Sequence, residues 1–324
     1  MNNERFNGQA FWWSLLVLVA LYLAQHRPPP ENKAPLKPDP PPSLALVPFT
    51  LNDLKQKLFP NFHAKHRNFS FPFAATHTKI NVSILQKYKS NNSGVGSAVW
   101  EGSQVLSTFI ARRALQIFDS EQQVVVEIGA GQGLVSITAA LVLHQMQLSG
   151  RVYATDGDES CLLQAQHNLD RHNLSQVENA AALLVKSTTN LVRWGNTSDV
   201  ERMLRRPTWV FAADVVFENA DATPTATTTT EVGSTALLHE ANHAFHALVS
   251  TFDILITKDN ALLLAYKRRR KREEKFFDLM RAHGFYVQPV KKRYLDRRFR
   301  DMFEILCFAK TVGGCSRLGK LVAR

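Results

Sequence analysis

The sequence predicts an α/β fold: a Rossmann-like, doubly wound and mostly parallel seven-stranded sheet that ends in a C-terminal antiparallel hairpin. Apolar runs rich in β-branched residues alternate with segments of helical apolar spacing over most of the chain. This alternation is typical of strands joined by crossover helices, and crossovers connect parallel strands. Two apolar runs near the C-terminus follow one another across a short connection, which predicts the antiparallel hairpin.

Seven strands and four helices are expected in chain order. The predicted strands are Val124–Ile128, Arg151–Thr155, Ala181–Val185, Trp209–Ala213, Ala261–Tyr266, Phe285–Val290 and Met302–Ala309. The predicted helices are Leu134–Leu148, Ser160–Asn173, Ala236–Phe252 and Arg272–His283. A glycine follows the last helix directly and is expected to end it.

The composition limits the class of protein. Of the 324 residues, 45% are hydrophobic and 21% are charged, which excludes a disordered chain, a collagen-like chain and a protein with several membrane spans. The net charge of +11 favours an acidic partner: an acidic protein, a nucleic acid or an anionic membrane face. The three cysteines contain no C-x-x-C pair, so neither a disulfide framework nor a zinc site is expected, and a reducing compartment is favoured.

Residues 1–27 form an anchor-like segment. Within it, Ala10–Ala24 is a run of fifteen residues without a charge, with tryptophan and tyrosine near its ends. As a helix this run would span roughly 22 Å, which is shorter than the ~30 Å hydrocarbon core of a bilayer. A short uncleaved membrane anchor is the first interpretation. A cleaved signal peptide and a buried or interfacial helix are the alternatives.

Residues 28–48 form a proline-rich linker, and the folded domain is expected at residues 49–324. Eight prolines lie between Pro28 and Pro42, a density that favours an extended, semi-rigid polyproline II spacer. Inside the domain, residues 219–234 contain the sequence ATPTATTTT. Such a stretch cannot bury apolar area, so we expect a surface loop there.

The densest motif is the block Glu127–Gly133, with the sequence EIGAGQG, directly after the first predicted strand. Its glycines allow a tight turn and a close approach of the backbone to a ligand, and the helix that follows presents its positive N-terminus. Asp156 lies 25 positions beyond Gly131, at the end of the second predicted strand. Because a carboxylate there suits both hydroxyls of a ribose, the sequence predicts a nucleotide site.

Two residues distinguish between the candidate nucleotides. The dinucleotide fingerprint requires a small residue at position 134, where this chain has Leu134. Glu127 places a negative charge at the end of the strand, which repels a pyrophosphate and attracts the ammonium of S-adenosylmethionine. S-adenosylmethionine is therefore the expected cofactor, and NAD(P) is the alternative. The residues expected at the turn beside it are Glu127, Gly129, Ala130, Gly131 and Gly133.

Four blocks carry a resemblance to a known family: Val99–Gly102, Glu127–Gly133, Trp194–Asn196 and Ala212–Phe217. The region 99–310 is similar to the class I, seven-strand S-adenosylmethionine-dependent methyltransferases. More narrowly, it resembles the protein-lysine methyltransferases of methyltransferase family 16, in the branch around methyltransferase-like proteins 21 and 22. The resemblance covers about two thirds of the chain.

The resemblance implies how the cofactor is bound. Aromatic faces suit both a cationic sulfonium and a flat purine. The residues implied are Trp100, Gly129, Ala130 and Gly131 at the methionine end, Asp156 at the ribose, Trp194 beside the adenine, and Ala213 through its backbone.

Asp214, at the end of the fourth predicted strand, is the candidate catalytic residue. Methyl transfer is an in-line displacement, and a lysine with a pKa near 10.4 must lose its proton before it can attack. We expect Asp214 to orient the substrate ammonium and Phe217 to form a wall of an apolar slot. The family has tyrosine at this last position. Aromatic packing therefore suffices, or activity is weakened, or a nearby residue such as Tyr266 compensates.

The same block favours a protein substrate over a nucleic acid. Enzymes of the wider superfamily that methylate base amines carry two prolines where this chain has Val215 and Val216. The expected function is methyl transfer from S-adenosylmethionine to a lysine of a protein. A nucleic-acid methyltransferase and a weakly catalytic cofactor-binding scaffold are the alternatives.

Two basic runs, Lys267–Arg272 and Lys291–Arg300, lie at the ends of predicted strands. They are expected to form one patch for an acidic protein or a nucleic acid, or else a solvated or localisation-type run. A glycan on the sequon at Asn196 would block the presumed adenine turn. The catalytic domain is therefore expected on the cytosolic side of a membrane, and a cytoplasmic or nuclear enzyme is the alternative.

Overall fold

The computed structural model describes residues 64–86, 95–174, 185–203, 206–216, 234–269 and 271–323. The chain divides into two units, Met1–Phe49 and Thr50–Arg324, and every described residue belongs to the second. The anchor-like segment, the proline-rich linker, Phe217 and residues 219–233 lie outside the described residues. In the part that is described, no helix combines the length and the apolar character needed to cross a membrane.

The first described element is an antiparallel hairpin of β1 (His66–Phe73) and β2 (Thr78–Leu85). Its apolar side chains alternate along both strands, and Phe71, Phe73 and Ile80 are almost completely buried. Sequence analysis did not predict this hairpin, although alternation of this kind is the ordinary signal of a half-buried strand.

A seven-stranded sheet forms the centre of the domain. Its strands are β3 (Gln122–Ile128), β4 (Ser149–Asp156), β5 (Val185–Leu191), β6 (Trp209–Ala213), β7 (Ala261–Tyr266), β8 (Tyr286–Pro289) and β9 (Glu304–Ala309). They lie in the order β5-β4-β3-β6-β7-β9-β8. The first five are parallel, whereas β9 is antiparallel to both β7 and β8. The predicted fold class, including the C-terminal hairpin, is confirmed.

Helices cover both faces of this sheet. They are α1 (Glu101–Arg112), α2 (Ala114–Ile117), α3 (Leu134–Gln145), α4 (Glu159–Arg171), α5 (Thr197–Glu201), α6 (Ser234–Leu255) and α7 (Glu274–Ala282). Along β6, Trp209 and Phe211 pack in one apolar cluster with α1 and α3. Val210 and Ala212 pack in the other, with α6 and α7. Because successive residues of a strand point to opposite faces, β6 contributes to both layers.

The predicted third strand is misplaced. We expected Ala181–Val185, but β5 begins at Val185 and runs through the polar sequence VKSTTNL; residues 181–184 lie outside the described part. As an edge strand of the sheet, β5 leaves several side chains half-exposed. An edge strand does not need continuous hydrophobicity, so the polar sequence after Val185 was not recognised as a strand.

The expectation that the cysteines form no disulfide is wrong for two of them. Cys307 in β9 is bonded to Cys315, which lies in the 3₁₀ segment Gly314–Leu321. The chain turns back against β9 after the strand ends, a return that the spacing of the cysteines does not reveal. The cysteine argument for a reducing compartment therefore no longer holds. Cys161 is free and buried, and burial raises the pKa of its thiol to about 12.

Removal of this disulfide should lower the stability of the domain. The bond joins residues with a sequence separation of 8, and in the chain-entropy description a loop of that size contributes about 2 kcal/mol. Cys315→Ser should lower the free energy of unfolding in urea by about that amount, and dithiothreitol should do the same to the wild type. The reductant should leave Cys315→Ser unchanged. A further loss in that variant would contradict the assignment.

Candidate active site

A cavity of about 640 Å³ opens at the carboxyl ends of β3, β4 and β6. Because β3 lies between β4 and β6, the strand order reverses there, and such a switch point is where open α/β sheets bind ligands. The predicted site residues that line the cavity are Trp100, Glu127, Gly129, Ala130, Gly131, Asp156, Trp194, Ala213 and Asp214.

Among the predicted site residues that the structure describes, Gly133 is not part of this lining. Gly133 begins α3 as its N-cap, with φ of 84°, and a Cβ there would come within 3.3 Å of the Cβ of Ala165. Gly133 thus allows the loop and two helices to pack closely, and it does not face the cavity. Phe217 lies outside the described residues.

The glycine loop between β3 and α3 turns through the left-handed region of backbone space. Gly129 has φ of 70° and Gly131 has φ of 53°, values that glycine adopts most readily. A Cβ on Gly129 would lie 2.7 Å from Cγ1 of Val215, so there is no room for a side chain. Ala130 N donates a hydrogen bond to the carbonyl oxygen of Thr155 at 2.8 Å, which fixes the loop to β4.

Four carboxylates of the described residues line the cavity, and the three less exposed ones, Glu127, Asp156 and Asp214, each accept a hydrogen bond from a backbone N–H. Glu127 accepts from the amide of Ser136 at 2.8 Å, and Asp156 accepts from that of Gly131 at 2.8 Å. Asp214 accepts from the amide of Gly102 in the first turn of α1 at 2.6 Å. The amides of Gly102 and Ser136 lie in the first turns of α1 and α3. Such amides have no partner within their own helix, so they are free to donate to a carboxylate.

Glu127 is the most deeply buried of the three, with 2% of its surface exposed. Burial raises the pKa of its carboxyl to about 8, against the opposing effect of the hydrogen bonds from Ser136. Both of these bonds, from the amide and the hydroxyl of Ser136, reach Oε2. A cation that entered the cavity beside Glu127 would favour its ionised form.

Asp156 closes the end of β4 and joins it to the glycine loop. Its Oδ2 accepts the Gly131 amide, and its Oδ1 accepts the amide of Asp158 at 3.0 Å. Burial raises the pKa of Asp156, and the two backbone hydrogen bonds oppose that effect. Each carboxylate oxygen has a second lone pair, so the group retains capacity to accept from ligand hydroxyls.

Asp214 follows β6 with φ of 56°, a left-handed conformation that aspartate tolerates better than most residues. Its side chain is 5% exposed. Oδ2 accepts the Gly102 amide, and Oδ1 lies 2.5 Å from Nη2 of Arg269. The carboxylate predicted to meet a substrate ammonium therefore already holds a cation from its own chain.

Two tryptophans flank the cavity at different depths. Trp100 is 40% exposed at the mouth, and its indole N–H donates to the carbonyl oxygen of Val95 at 2.6 Å. Trp194 is half-buried and packs against the apolar cluster beneath α6. Next to it, the amide of Gly195 donates to the hydroxyl of Thr251 at 2.9 Å. The arrangement provides one aromatic face at the rim and one inside.

The suggestion that Tyr266 compensates for the missing tyrosine hydroxyl is wrong. Tyr266 is 3% exposed and does not line the cavity. Its hydroxyl donates to Oε2 of Glu273 at 2.8 Å, and burial raises the pKa of Tyr266. The phenol is therefore held away from the reacting region.

Sequence reasoning missed several residues of the cavity: Gly96, Gln132, Asp158, Arg193, Val215 and Arg269. Gln132 sits inside the glycine block and is 3% exposed. Its Nε2 donates to the carbonyl oxygen of Gly96 at 2.7 Å, whereas its Oε1 is buried without a hydrogen-bond partner among the described residues. A buried acceptor of this kind fits a ligand with an N–H or O–H donor.

A sequence profile of the family described as "Lysine methyltransferase" matches residues 79–236 and 239–283. The chain belongs to this family. Protein N-lysine methyltransferase METTL21A of Xenopus tropicalis is 24% identical over 240 residues, which cover 74% of this chain and 87% of that protein. Protein-lysine methyltransferase METTL21E of Mus musculus is 30% identical over 185 residues, which cover 56% of this chain and 61% of that protein.

Solved structures with a similar fold include the T. thermophilus 16S rRNA N2 G1207 methyltransferase (RsmC) in complex with AdoMet and guanosine. The TM-score is 0.40 at 14% identity, and the match covers 76% of this chain and 51% of that chain. Membership of the lysine methyltransferase family confirms the expected class of activity, S-adenosylmethionine-dependent methylation of protein lysines.

The raised pKa of Glu127 predicts how stability depends on pH. The folded state holds the proton up to about pH 8, whereas the unfolded state releases it near 4.5. Between pH 4.5 and 8 the unfolded state has released this proton and the folded state has not, so the free energy of unfolding falls as pH rises. Above pH 8 both states are ionised, and Glu127 causes no further fall. Glu127→Gln keeps an acceptor for Ser136 without this titration. The stability gained by the variant, measured in urea, should grow from pH 5 to pH 8. A gain that shrinks over this range would contradict the assignment.

Proposed function

We propose that this chain binds S-adenosylmethionine in the cavity and transfers its methyl group to a lysine side chain of a protein. The observation that carries the proposal is the convergence of Glu127, Asp156 and Asp214 on one cavity, in a chain of the lysine methyltransferase family. The cofactor carries an ammonium, a sulfonium and two ribose hydroxyls, and anionic acceptors suit all of them.

The residues present fit this cofactor. Glu127 would receive the ammonium, and Asp156 would receive the ribose hydroxyls through its remaining lone pairs. Gln132 offers a buried acceptor that needs a donor, and Trp194 offers a flat apolar face for the purine. Trp100 at the rim would cover the methionine end, where an aromatic face stabilises a positive charge.

When bound, the cofactor supplies an already activated methyl group, so the main task of the protein is positioning. The acceptor amine has to approach in line with the bond that breaks, without its proton. In our proposal Asp214 aligns the acceptor at the carboxyl end of β6, and Ala213 shapes the backbone beside it. Phe217, three residues on, would provide apolar contact for the methylene chain of the lysine.

A transfer assay with purified full-length chain, tritiated S-adenosylmethionine and cell lysate tests the proposal. Label that survives nuclease, disappears with protease and is recovered as methyl-lysine after hydrolysis would support it. Label lost on nuclease treatment would show a nucleic-acid methyltransferase instead. Cofactor binding by calorimetry without any transfer would show a scaffold.

Two substitutions should separate binding from transfer. Asp214→Ala removes the acceptor that aligns the amine, so we expect at least a hundredfold loss of transfer rate with cofactor affinity within about threefold. Glu127→Gln should instead weaken cofactor binding by about tenfold or more, because the ammonium loses its counter-charge. Equal loss of cofactor affinity in both variants would contradict this division of roles.

We further propose that residues 10–24 attach the chain to a membrane with the catalytic domain on the cytosolic side. The support is the length of uncharged, aromatic-flanked sequence, followed by a proline-rich spacer.

Leu16→Arg with Leu18→Arg should release the full chain from membranes in a carbonate extraction, because charges are costly in the hydrocarbon core. Asn32→Arg with Ser43→Arg adds the same charge to the linker and should leave the chain in the membrane fraction. A wild-type chain that carbonate fully extracts would contradict the proposal.

A further inference from the structure

Arg269 belongs to the basic run after β7, yet its guanidinium points into the cavity. Nη2 lies 2.5 Å from Oδ1 of Asp214. The arginine side chain is 32% exposed, and the aspartate side chain is 5% exposed. By contrast, Arg268 next to it is 69% exposed and pairs with the exposed Glu274 at 3.5 Å, away from the cavity. One cation of the run is therefore placed at the site, and its neighbour is placed in solvent.

The backbone at Arg269 is held in place by a hydrogen bond to a buried glutamate. The amide of Arg269 donates to Oε2 of Glu273 at 3.0 Å, and the same oxygen accepts the hydroxyl of Tyr266. Glu273 is 1% exposed. Two residues earlier, Lys267 pairs with Glu101 at 3.2 Å and lies 5.3 Å from the ring centre of Phe303. The segment after β7 is thus tied to Tyr266 at the end of β7, to α1 and to Phe303, the residue before β9.

Resting on the proposed function, we propose that Arg269 is a positioning residue that compensates the charge of Asp214, so that the acceptor lysine enters the site as the neutral amine. An uncompensated carboxylate would stabilise the ammonium form of that lysine, which cannot attack. With the guanidinium in place, Asp214 can still accept a hydrogen bond from the amine, but it attracts a cation much less.

The pairing of the other charged groups around the cavity leaves Arg269 as the partner of Asp214. The charged groups that line the cavity are Glu127 in β3, Asp156 in β4, Asp158 after β4, Arg193 after β5, Asp214 after β6 and Arg269 after β7. Lys267 after β7 and Glu101 in α1 form an ion pair outside this lining. Arg193 and Lys267 are already paired, with Asp199 and Glu101. Arg269 is therefore the cation directed at the acceptor carboxylate.

The step balances without a further reactant. The lysine ammonium releases its proton to solvent, and the nitrogen lone pair forms a bond to the methyl carbon. The bond from that carbon to sulfur breaks, and its electron pair stays on sulfur. The products are a methylated lysine and S-adenosylhomocysteine. Arg269 takes no part in bond making; it shifts the protonation equilibrium that precedes it.

The test compares Arg269→Gln with Arg268→Gln, which removes the same charge from the neighbouring exposed position. Initial rates of label transfer to the protein methylated by the wild type are measured from pH 6.5 to 9.5. An opposite charge within a few ångströms shifts a pKa by about one unit or more. The acid limb of Arg269→Gln should therefore move up by about one pH unit, with about a tenfold lower rate at pH 7.5 and a deficit that shrinks only where the wild-type rate reaches its plateau. Arg269→Lys should restore the wild-type profile, and Arg268→Gln should keep it.

A binding experiment separates this inference from the proposed function. With S-adenosylhomocysteine bound, n-butylammonium should bind Arg269→Gln about tenfold more tightly than the wild type at pH 7.5, measured by NMR titration. If the wild type methylates no lysine, the proposed function fails, but this comparison still decides the role of Arg269.

Three results would overturn the inference. They are an unchanged pH profile, equal n-butylammonium affinity, and a rate in Arg269→Gln that rises at every pH. The last would show that Arg269 blocks the site as a substitute for the substrate. The affinity of each variant for S-adenosylhomocysteine, together with its circular dichroism spectrum, checks that it is folded.

Discussion

The structure of the site depends on the presence of three carboxylates at one edge of a parallel sheet. The pairing of β3 with β4 and β6 brings Glu127, Asp156 and Asp214 to the same cavity. Like charges in a buried site oppose ionisation, and the charge of Asp156 contributes to the raised pKa of Glu127. At least one backbone amide on each carboxylate offsets part of this cost, so the starts of α1 and α3 and the glycine loop all donate hydrogen bonds to the same group of carboxylates.

The cavity has two halves, which differ in whether a lysine or arginine of the chain pairs with the carboxylate. In the described part of the chain, no lysine or arginine pairs with Glu127 or Asp156. A cationic ligand there would gain a counter-charge and would release a proton from Glu127, so its affinity is coupled to pH. At Asp214 the chain supplies its own cation in Arg269. The first half is suited to hold a permanent cation, and the second is suited to a group that must give up its charge.

The sequence predicted the parts of this site that local rules control. The glycine turn, the acidic residue after the next strand and the aspartate after β6 each follow from the placement of strand ends, and Gly129, Asp156 and Asp214 do line the cavity. Contacts between distant segments could not be predicted in this way. Arg269 was recognised as part of a basic run, but its pairing with Asp214, 55 residues earlier, depends on the adjacency of β6 and β7. The disulfide between Cys307 and Cys315 was missed for the same reason, since it depends on the chain turning back against β9.

Neither Phe217 nor Tyr266 offers a free phenol to the acceptor, which bears on how the acceptor loses its proton. Phe217 has no hydroxyl, and the hydroxyl of Tyr266 is bound to the buried Glu273. Asp214 has one oxygen on the Gly102 amide and the other on Arg269, so both of its oxygens already accept a hydrogen bond from the chain. A lysine that reaches this point gains most by arriving already neutral, after releasing its proton to water at the open rim beside Trp100. On this argument the rate is limited by the fraction of neutral amine, and the cation at position 269 is the means by which this chain increases that fraction.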